Sequence, residues 1–468
     1  MPQQIQTASI AVPSLLTKDA TGSHTLDLVR MLKNEGVATE IVCNFAANDL
    51  PADALSSVRI EEQPPYNFKN DLTIFQYPIW SSLAESLRFS RKTTLFWYHG
   101  VTPPKLWASS DGHELMELSE RRTTLAWHAD LAVCASPFTA DELHRHSGYP
   151  KERIRVVPLG VDVSEMTQKP SVEIIEQLRT RWNLQDKQVL LYVGRIAGNK
   201  RIDLLIEGLA TLADTFPSLV LLIVGDSSST QGYQELTKQL VDKSARLGIQ
   251  DRVIFTDKVE KVAPYYHLAD IFVHASQHEG FCIPLIEAMA AGVPVVASAS
   301  GAMPWVLNAH EEEPNTMGLL FSEGNSGELA SQIKRLLLDH ELYRAKQSNA
   351  QAYVCNFDKV NFAQRMLSVI SEATTLSTHK LVPPLTDLAA VSTITSSDYR
   401  VRSHIPILGR LIERIRVNLT SHLKSGFIDP ILRRQANYNR LVVDEVDTLG
   451  IEIMRLRAEI KQLQQKSK

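Results

Sequence analysis

Two glutamates that lie eight positions apart, Glu279 and Glu287, flank the point where a strand should give way to a helix. The apolar run Ile271–Ala275 before them is typical of a buried strand. Pro284 suits the first helical position, where its missing N–H group costs no hydrogen bond. The free N–H groups at the start of that helix form an anion site suited to a diphosphate, and Glu287 is placed to accept hydrogen bonds from sugar or ribose hydroxyls. The pattern indicates a sugar-transfer site.

Two cations occupy a second strand-to-helix loop. The apolar segment that begins at Leu190 ends in Gly194, and Arg195 and Lys200 follow, five residues apart. Together with the helix N-terminus, these cations would stabilise the charge of a departing diphosphate.

These two blocks resemble the retaining nucleotide-sugar glycosyltransferases of family four, which have the GT-B architecture. Further matches occur at Val156–Asp162, Leu222–Gly225 and the Ala269-Asp270 pair, so that five blocks follow the order of the family. Several blocks in order are far more specific than one short motif. The resemblance covers most of residues 1 to 372 and implies an α/β fold with two Rossmann-like doubly wound domains facing a cleft. It also implies retention at the anomeric carbon.

The resemblance assigns roles by position. Arg195 and Lys200 would hold the donor diphosphate, Glu279 would be catalytic, and His99 would reach the donor sugar from the end of a strand in the first domain. The other predicted donor-binding residues are Glu287, Gly280, Phe281, Cys282, Ile283, Val259 and Gly22. Because the sequence contains no Asp-x-Asp motif of the kind that holds a metal ion, we expect a metal-independent reaction without a cofactor.

The charged residues also have structural interpretations. Glu279 could be a solvated loop carboxylate, and Glu287 could serve only the helix dipole. Arg195 and Lys200 could be surface charges of a loop between a strand and a helix.

The remaining assignments leave alternatives as well. His99 could be a hydrogen-bonded structural histidine, Val259 could belong to the core, and the loop at Gly22 could have no role. Cys282 stands where the family usually has a glycine after the phenylalanine. A side chain there would narrow the pocket near the donor sugar, which leaves the identity of the donor open.

Composition excludes several other classes of protein. The chain has 468 residues, 44% hydrophobic and 22% charged, enough for two substantial cores. A net charge of −4 gives no reason to expect nucleic-acid binding. The four cysteines are widely separated, without zinc or disulfide spacing, which favours a reduced, cytoplasmic setting. No signal peptide and no apolar run long enough to span a membrane is recognisable.

Alternating short apolar strands and amphipathic helices predict two parallel sheets covered on both faces. We expect an acceptor-side Rossmann-like domain over 1–168 and a donor-binding Rossmann-like domain over 169–375, the latter ending in a helix near 359–372 that crosses back in the family. A Ser/Thr-rich linker over 376–399 would lead to a helical tail over 400–468.

The tail has two distinctive parts. Residues 398–440 carry nine basic and three acidic side chains, a net charge of +6, among apolar residues. Two interpretations explain this composition equally well. Residues 400–440 contact an anionic membrane surface, or they form a basic helix that packs on the acidic body. Residues 442–463 follow a heptad pattern that predicts a parallel homodimeric coiled coil, the alternative being a helix folded onto its own domain.

The sequence therefore predicts an enzyme that moves a sugar from a nucleotide diphosphate to a glycan or lipid-linked acceptor, in surface polysaccharide biosynthesis at the inner face of the plasma membrane. The alternative is a non-catalytic scaffold subunit with the same fold. An epimerase acting on the donor is disfavoured, because those proteins lack the loop with two cations.

Overall fold

The computed structural model describes residues 5–16, 19–47, 50, 57–61, 66–90, 92–106, 110–228, 230–309 and 315–376. The predicted linker beyond residue 376, the basic segment 400–440 and the heptad segment 442–463 lie outside the described residues. Among the helices that the structure describes, none is long and apolar enough to cross a membrane.

The N-terminal domain is built on a seven-stranded parallel sheet with the strand order β3-β2-β1-β4-β5-β6-β7. Its strands are β1 (Thr7–Leu15), β2 (Ala38–Ala46), β3 (Val58–Ile60), β4 (Leu72–Tyr77), β5 (Thr93–Tyr98), β6 (Leu131–Cys134) and β7 (Ile154–Val156). The predicted parallel sheet is confirmed, and apolar runs in the sequence mark every strand except β3. Two of the three residues in this edge strand are exposed, so it lacks the apolar run that marks the others.

The C-terminal domain is built on a six-stranded parallel sheet with the order β10-β9-β8-β11-β12-β13. Its strands are β8 (Gln188–Val193), β9 (Leu219–Val224), β10 (Val253–Phe255), β11 (Ile271–His274), β12 (Val295–Ser298) and β13 (Leu319–Phe321). In both sheets the order reverses beside the first strand of the domain, between β1 and β4 and between β8 and β11. Such a switch point opens a crevice at the carboxyl ends of the strands, where ligands of doubly wound folds bind.

Helices cover both faces of the sheets, which explains why the strand sequences are apolar without alternation. The helices are α1 (Ala20–Asn34), α2 (Ser110–Arg121), α3 (Pro137–Ser147), α4 (Val163–Thr167), α5 (Val172–Arg181), α6 (Ile202–Leu212), α7 (Gln231–Arg246), α8 (Ala263–Leu268), α9 (Ile283–Ala290), α10 (Met303–Val306), α11 (Ser326–Leu338), α12 (His340–Tyr353) and α13 (Lys359–Leu376). Short 3-10 turns complete the connections.

The last described helix, α13, crosses back to the N-terminal domain, as predicted. Phe362 packs against Trp97 of β5, with ring centroids 6.1 Å apart. Further along the helix, Glu372 accepts a hydrogen bond of 2.8 Å from Nε of Arg155 in β7. These contacts hold the two domains together on the side where the chain passes between them.

Candidate active site

The switch point of the C-terminal sheet brings together the two predicted charged loops. Lys200 follows β8, and Glu279 follows its sheet neighbour β11. The ammonium Nζ of Lys200 lies 2.5 Å from Oε1 of Glu279, and each side chain is only 13% exposed. The structure thus places these two predicted residues in direct contact.

His274, the last residue of β11, is a third member of this group. Its Nε2 lies 2.9 Å from the same Oε1 of Glu279. Burial alone would raise the pKa of Glu279, but the positive charge of Lys200 and the hydrogen bond from His274 outweigh it and hold that pKa below its usual range. Glu279 is therefore ionised at neutral pH.

His274 was not predicted as a site residue. Its imidazole stacks against Tyr192, with ring centroids 5.4 Å apart, and is 1% exposed. The hydroxyl of Tyr192 in turn donates to the backbone oxygen of Arg195 at 3.0 Å. The only signal in the sequence was a polar residue at the end of an otherwise apolar strand, a pattern that many core histidines share.

Arg195 lies on the same loop as Lys200, but its side chain is exposed. The backbone beneath this loop is tightly packed, since a Cβ atom on Gly225 would lie 1.9 Å from the carbonyl oxygen of Gly194. Glycine at the end of β9 lets the two strand ends approach. Contact of Arg195 with a diphosphate remains a prediction.

Glu287 lies one turn inside α9, where it meets a tyrosine that was not predicted. The hydroxyl of Tyr266 donates a hydrogen bond of 2.6 Å to Oε2 of Glu287. Burial raises the pKa of Glu287, which the bond from Tyr266 only partly offsets. The two glutamates of the motif therefore have different electrostatic surroundings, because the ammonium of Lys200 contacts Glu279, whereas the neutral hydroxyl of Tyr266 contacts Glu287.

Gly280 is the point where the two domains meet at the site. A Cβ atom there would lie 2.2 Å from the carbonyl oxygen of His99 in the N-terminal domain. Ser136, also in the N-terminal domain, donates its hydroxyl to the carbonyl oxygen of Gly280 at 2.7 Å. Only glycine permits this approach, because any side chain would collide with the opposite backbone.

His99 is partly exposed at the end of β5. Its Nε2 is hydrogen-bonded to Oε1 of Gln76 at the end of β4. Burial lowers the pKa of His99 to about 3, so the ring is neutral at neutral pH. The bond to Gln76 places the proton on Nε2 and leaves Nδ1 as an acceptor.

Three predicted donor-binding residues precede or begin α9. Phe281 is 4% exposed, and its ring packs against Phe357 with centroids 5.7 Å apart, so this side chain belongs to the core. Cys282 is also buried and adopts the left-handed conformation, with φ +76°. Ile283, the first residue of α9, is partly buried against the core. Pro284 is thus the second helical residue, one place later than predicted.

Val259 and Gly22 lie at the edges of the predicted site. Val259 is partly buried and packs against the hydrophobic core. Gly22 lies in the first turn of α1, where a Cβ atom would lie 2.1 Å from the carbonyl oxygen of Leu16. Its N–H group donates to Asp19, which caps the helix, at 3.2 Å. Both positions therefore have a structural reason for their residue type, and their contact with a donor remains a prediction.

One group of side chains could in principle hold a metal ion. Ligand atoms of His274, Glu279 and Cys282 lie within 4.8 Å of one another. However, the ammonium of Lys200 already contacts Oε1 of Glu279, and burial raises the pKa of Cys282, which keeps it a neutral thiol. This donor set does not fit a resident divalent cation.

Two Rossmann-like domains whose strand ends face each other across a cleft define the GT-B class of proteins. Two family models match the chain, "Glycosyltransferase Family 4" over residues 21–165 and "Glycosyl transferases group 1" over residues 174–353, and together they cover more than half of it. The chain belongs to the GT-B glycosyltransferases of family four.

Among curated proteins, the chain is 33% identical over 183 residues to a mannosylfructose-phosphate synthase of Agrobacterium fabrum, covering 37% of this chain and 38% of that protein. It is 29% identical over 224 residues to a lipopolysaccharide 1,2-N-acetylglucosaminetransferase of Salmonella typhimurium, covering 46% of this chain and 56% of that protein. The matches thus span less than two thirds of these relatives.

Among solved structures, Anabaena Alr3699/HepE in complex with UDP and glucose resembles the chain with a TM-score of 0.65 at 22% identity. The similarity covers 78% of this chain and all of that one. At this identity the similarity shows the fold.

Proposed function

We propose that the chain is a retaining, metal-independent glycosyltransferase that uses a nucleotide diphosphate sugar. The observation that carries this proposal is the cluster of Lys200, Glu279 and His274 at the switch point of the C-terminal sheet. A buried ion pair contributes little to stability compared with apolar residues of similar size. A buried charged cluster with a shifted pKa at the switch point of a parallel sheet therefore favours a role in binding and catalysis.

The geometry suggests a role for each group. Lys200 and the N-terminal N–H groups of α9 would stabilise negative charge on the diphosphate as its bond to the anomeric carbon breaks. Ionised Glu279 would bind donor-sugar hydroxyls, and Glu287 would bind the ribose hydroxyls. The acceptor oxygen would attack from the face that the diphosphate leaves, and its proton would pass to the departing diphosphate. Neutral His99 would contact the sugar from the other domain.

The acceptor is proposed to be a glycan or a lipid-linked sugar in surface polysaccharide biosynthesis. The similarity to a lipopolysaccharide N-acetylglucosaminetransferase supports this class of acceptor. The net charge of +6 over residues 398–440 supports peripheral contact with an anionic membrane at its cytoplasmic side, and the heptads over 442–463 support a homodimer.

The test is an assay of released nucleotide with a panel of nucleotide sugars and candidate acceptors, in excess chelator. We expect one donor to be turned over by the wild type and about 30-fold or more slowly by Glu279→Gln. Binding of a nucleotide sugar without any turnover would instead favour the non-catalytic scaffold. Turnover that stops in chelator and returns with magnesium or manganese would contradict the metal-independent mechanism.

A further inference from the structure

We propose that Glu142 is a positioning residue for Glu279, acting from the N-terminal domain through His278. Glu142 lies on α3, and His278 immediately precedes Glu279 in the loop after β11. The kinetic part of this inference rests on the proposed function, whereas its structural part does not.

The contact between the two domains at this point is short and buried. Nε2 of His278 lies 2.9 Å from Oε1 of Glu142, and the two side chains are 6% and 5% exposed. The ring of Phe138, also on α3, packs edge-on against His278 with centroids 5.5 Å apart. A hydrogen bond between two buried polar side chains is sensitive to the loss of either partner, because the remaining polar group stays buried.

A second contact from the same helix holds the loop on the other side of Glu279. Ser136 caps α3 and donates its hydroxyl to the carbonyl oxygen of Gly280 at 2.7 Å. The N-terminal part of α3 therefore contacts residues 278 and 280, which flank Glu279. Fixing both neighbours restricts the position of the residue between them.

The opposite side of the loop is attached to the C-terminal domain. The N–H group of Gln277 donates to the carbonyl oxygen of Asn199 at 2.9 Å, and Ser276 donates its hydroxyl to the same oxygen at 3.2 Å. Asn199 precedes Lys200, so these bonds connect the two charged loops. The geometry of Glu279 relative to Lys200 thus depends on a loop that both domains hold.

Glu142 has little alternative to His278 as a partner. Its second oxygen, Oε2, is buried and has no hydrogen-bond partner among the residues that the structure describes. Loss of the His278 contact would leave a buried carboxylate without a bond to either oxygen, unless the domains move apart and water reaches it. The pair therefore couples the approach of the two domains to the position of Glu279.

The test compares variants that remove the hydrogen bond with variants that keep it. Glu142→Leu and His278→Leu abolish it, whereas Glu142→Gln keeps an acceptor and His278→Gln keeps a donor of similar reach. Glu372→Leu is the matched control, because it removes a carboxylate that pairs with Arg155 between β7 and α13. Thermal unfolding identifies any variant that fails to fold. If a leucine variant does not fold, the glutamine variants still decide the test.

Two measurements decide the outcome. Spin labels at Lys33→Cys in α1 and Lys238→Cys in α7, both exposed, report the distance between the domains, in a Cys355→Ser background because Cys355 is the exposed native cysteine among the four. Released nucleotide gives kcat and the KM for the donor. We expect longer or broader distances in the leucine variants and a kcat reduced about 10-fold or more at saturating donor, with a smaller change in KM.

We expect the glutamine variants and Glu372→Leu to stay close to the wild type in both measurements. Leucine variants with wild-type distances, or with altered distances and an unchanged kcat, would overturn the proposal. So would equal losses in Glu372→Leu, or a folded glutamine variant that loses as much as its leucine counterpart. A wild-type chain that turns over no donor would refute the proposed function, and the distances alone would then decide whether Glu142 and His278 hold the domains together.

Discussion

Lys200 and Glu279 form an ion pair of 2.5 Å that is largely shielded from water, since each side chain is 13% exposed. The pair joins the loops after two neighbouring strands, so it shapes the site before any donor arrives. The same two charges would contact the donor, which means that a substitution affects both the structure of the site and its chemistry.

The first prediction separates these two effects. Glu279→Gln and Lys200→Met should each reduce transfer by about 2 to 4 kcal/mol of transition-state stabilisation. Lys200→Met should also lower the melting temperature, because it leaves a buried carboxylate without its ammonium partner. The double variant Lys200→Met/Glu279→Gln should recover part of that loss while remaining inactive.

Activity assays and thermal unfolding of the three variants test this pattern. A Lys200→Met variant with unchanged melting temperature would show that the pair serves the ligand alone.

The second prediction concerns acid stability. Because the folded-state pKa of Glu279 lies below its ordinary value of 4.5, its ionised form stabilises the fold above that pH. The stabilisation should disappear as the pH falls from 4.5 through the folded-state pKa. The stability advantage of the wild type over Lys200→Met/Glu279→Gln, measured by urea unfolding, should therefore shrink in this range. An advantage that grows on acidification would contradict the cause we assign to the pKa.

The third prediction is that Glu287→Gln stabilises the fold while it weakens donor binding. Burial raises the folded-state pKa of Glu287 above its ordinary value of 4.5, so its ionisation lowers the stability of the fold as the pH rises from 4.5 through the folded-state pKa. Glutamine removes the charge, and its carbonyl oxygen can still accept the hydrogen bond from Tyr266. The gain in melting temperature should be larger at neutral pH than at pH values below the raised pKa.

Glu279→Gln is the matched control for this prediction, because its pKa moves in the opposite direction. Calorimetry at several pH values, with donor titration at neutral pH, makes the comparison. A Glu287→Gln variant that is less stable than the wild type at neutral pH would contradict the prediction.

The sequence predicted those parts of the fold and site that depend on local pattern. Apolar runs such as Leu131–Cys134 and the spacing of Glu279 and Glu287 are visible in the chain itself. Side-chain contacts that depend on tertiary packing were not predictable from the sequence. No local rule connects Tyr266 with Glu287, 21 residues apart, or His278 with Glu142, 136 residues apart. Such contacts can be predicted only when the strand order is known.

The last prediction concerns Cys282, a residue other than glycine in the left-handed region, with φ +76°. A side chain in this conformation is strained, while its thiol lies beside Glu279 in the site. Cys282→Ala and Cys282→Gly both remove the thiol, but only glycine also removes the strain. The glycine variant should therefore be more stable than the alanine variant by about 0.5 to 1 kcal/mol, after the larger chain entropy of unfolded glycine is included.

Because both variants enlarge the pocket, they should share any change in donor preference, measured as kcat/KM across a panel of nucleotide sugars. An alanine variant as stable as the glycine variant would contradict the strain, and unchanged donor preference in both would show that the thiol does not limit the pocket.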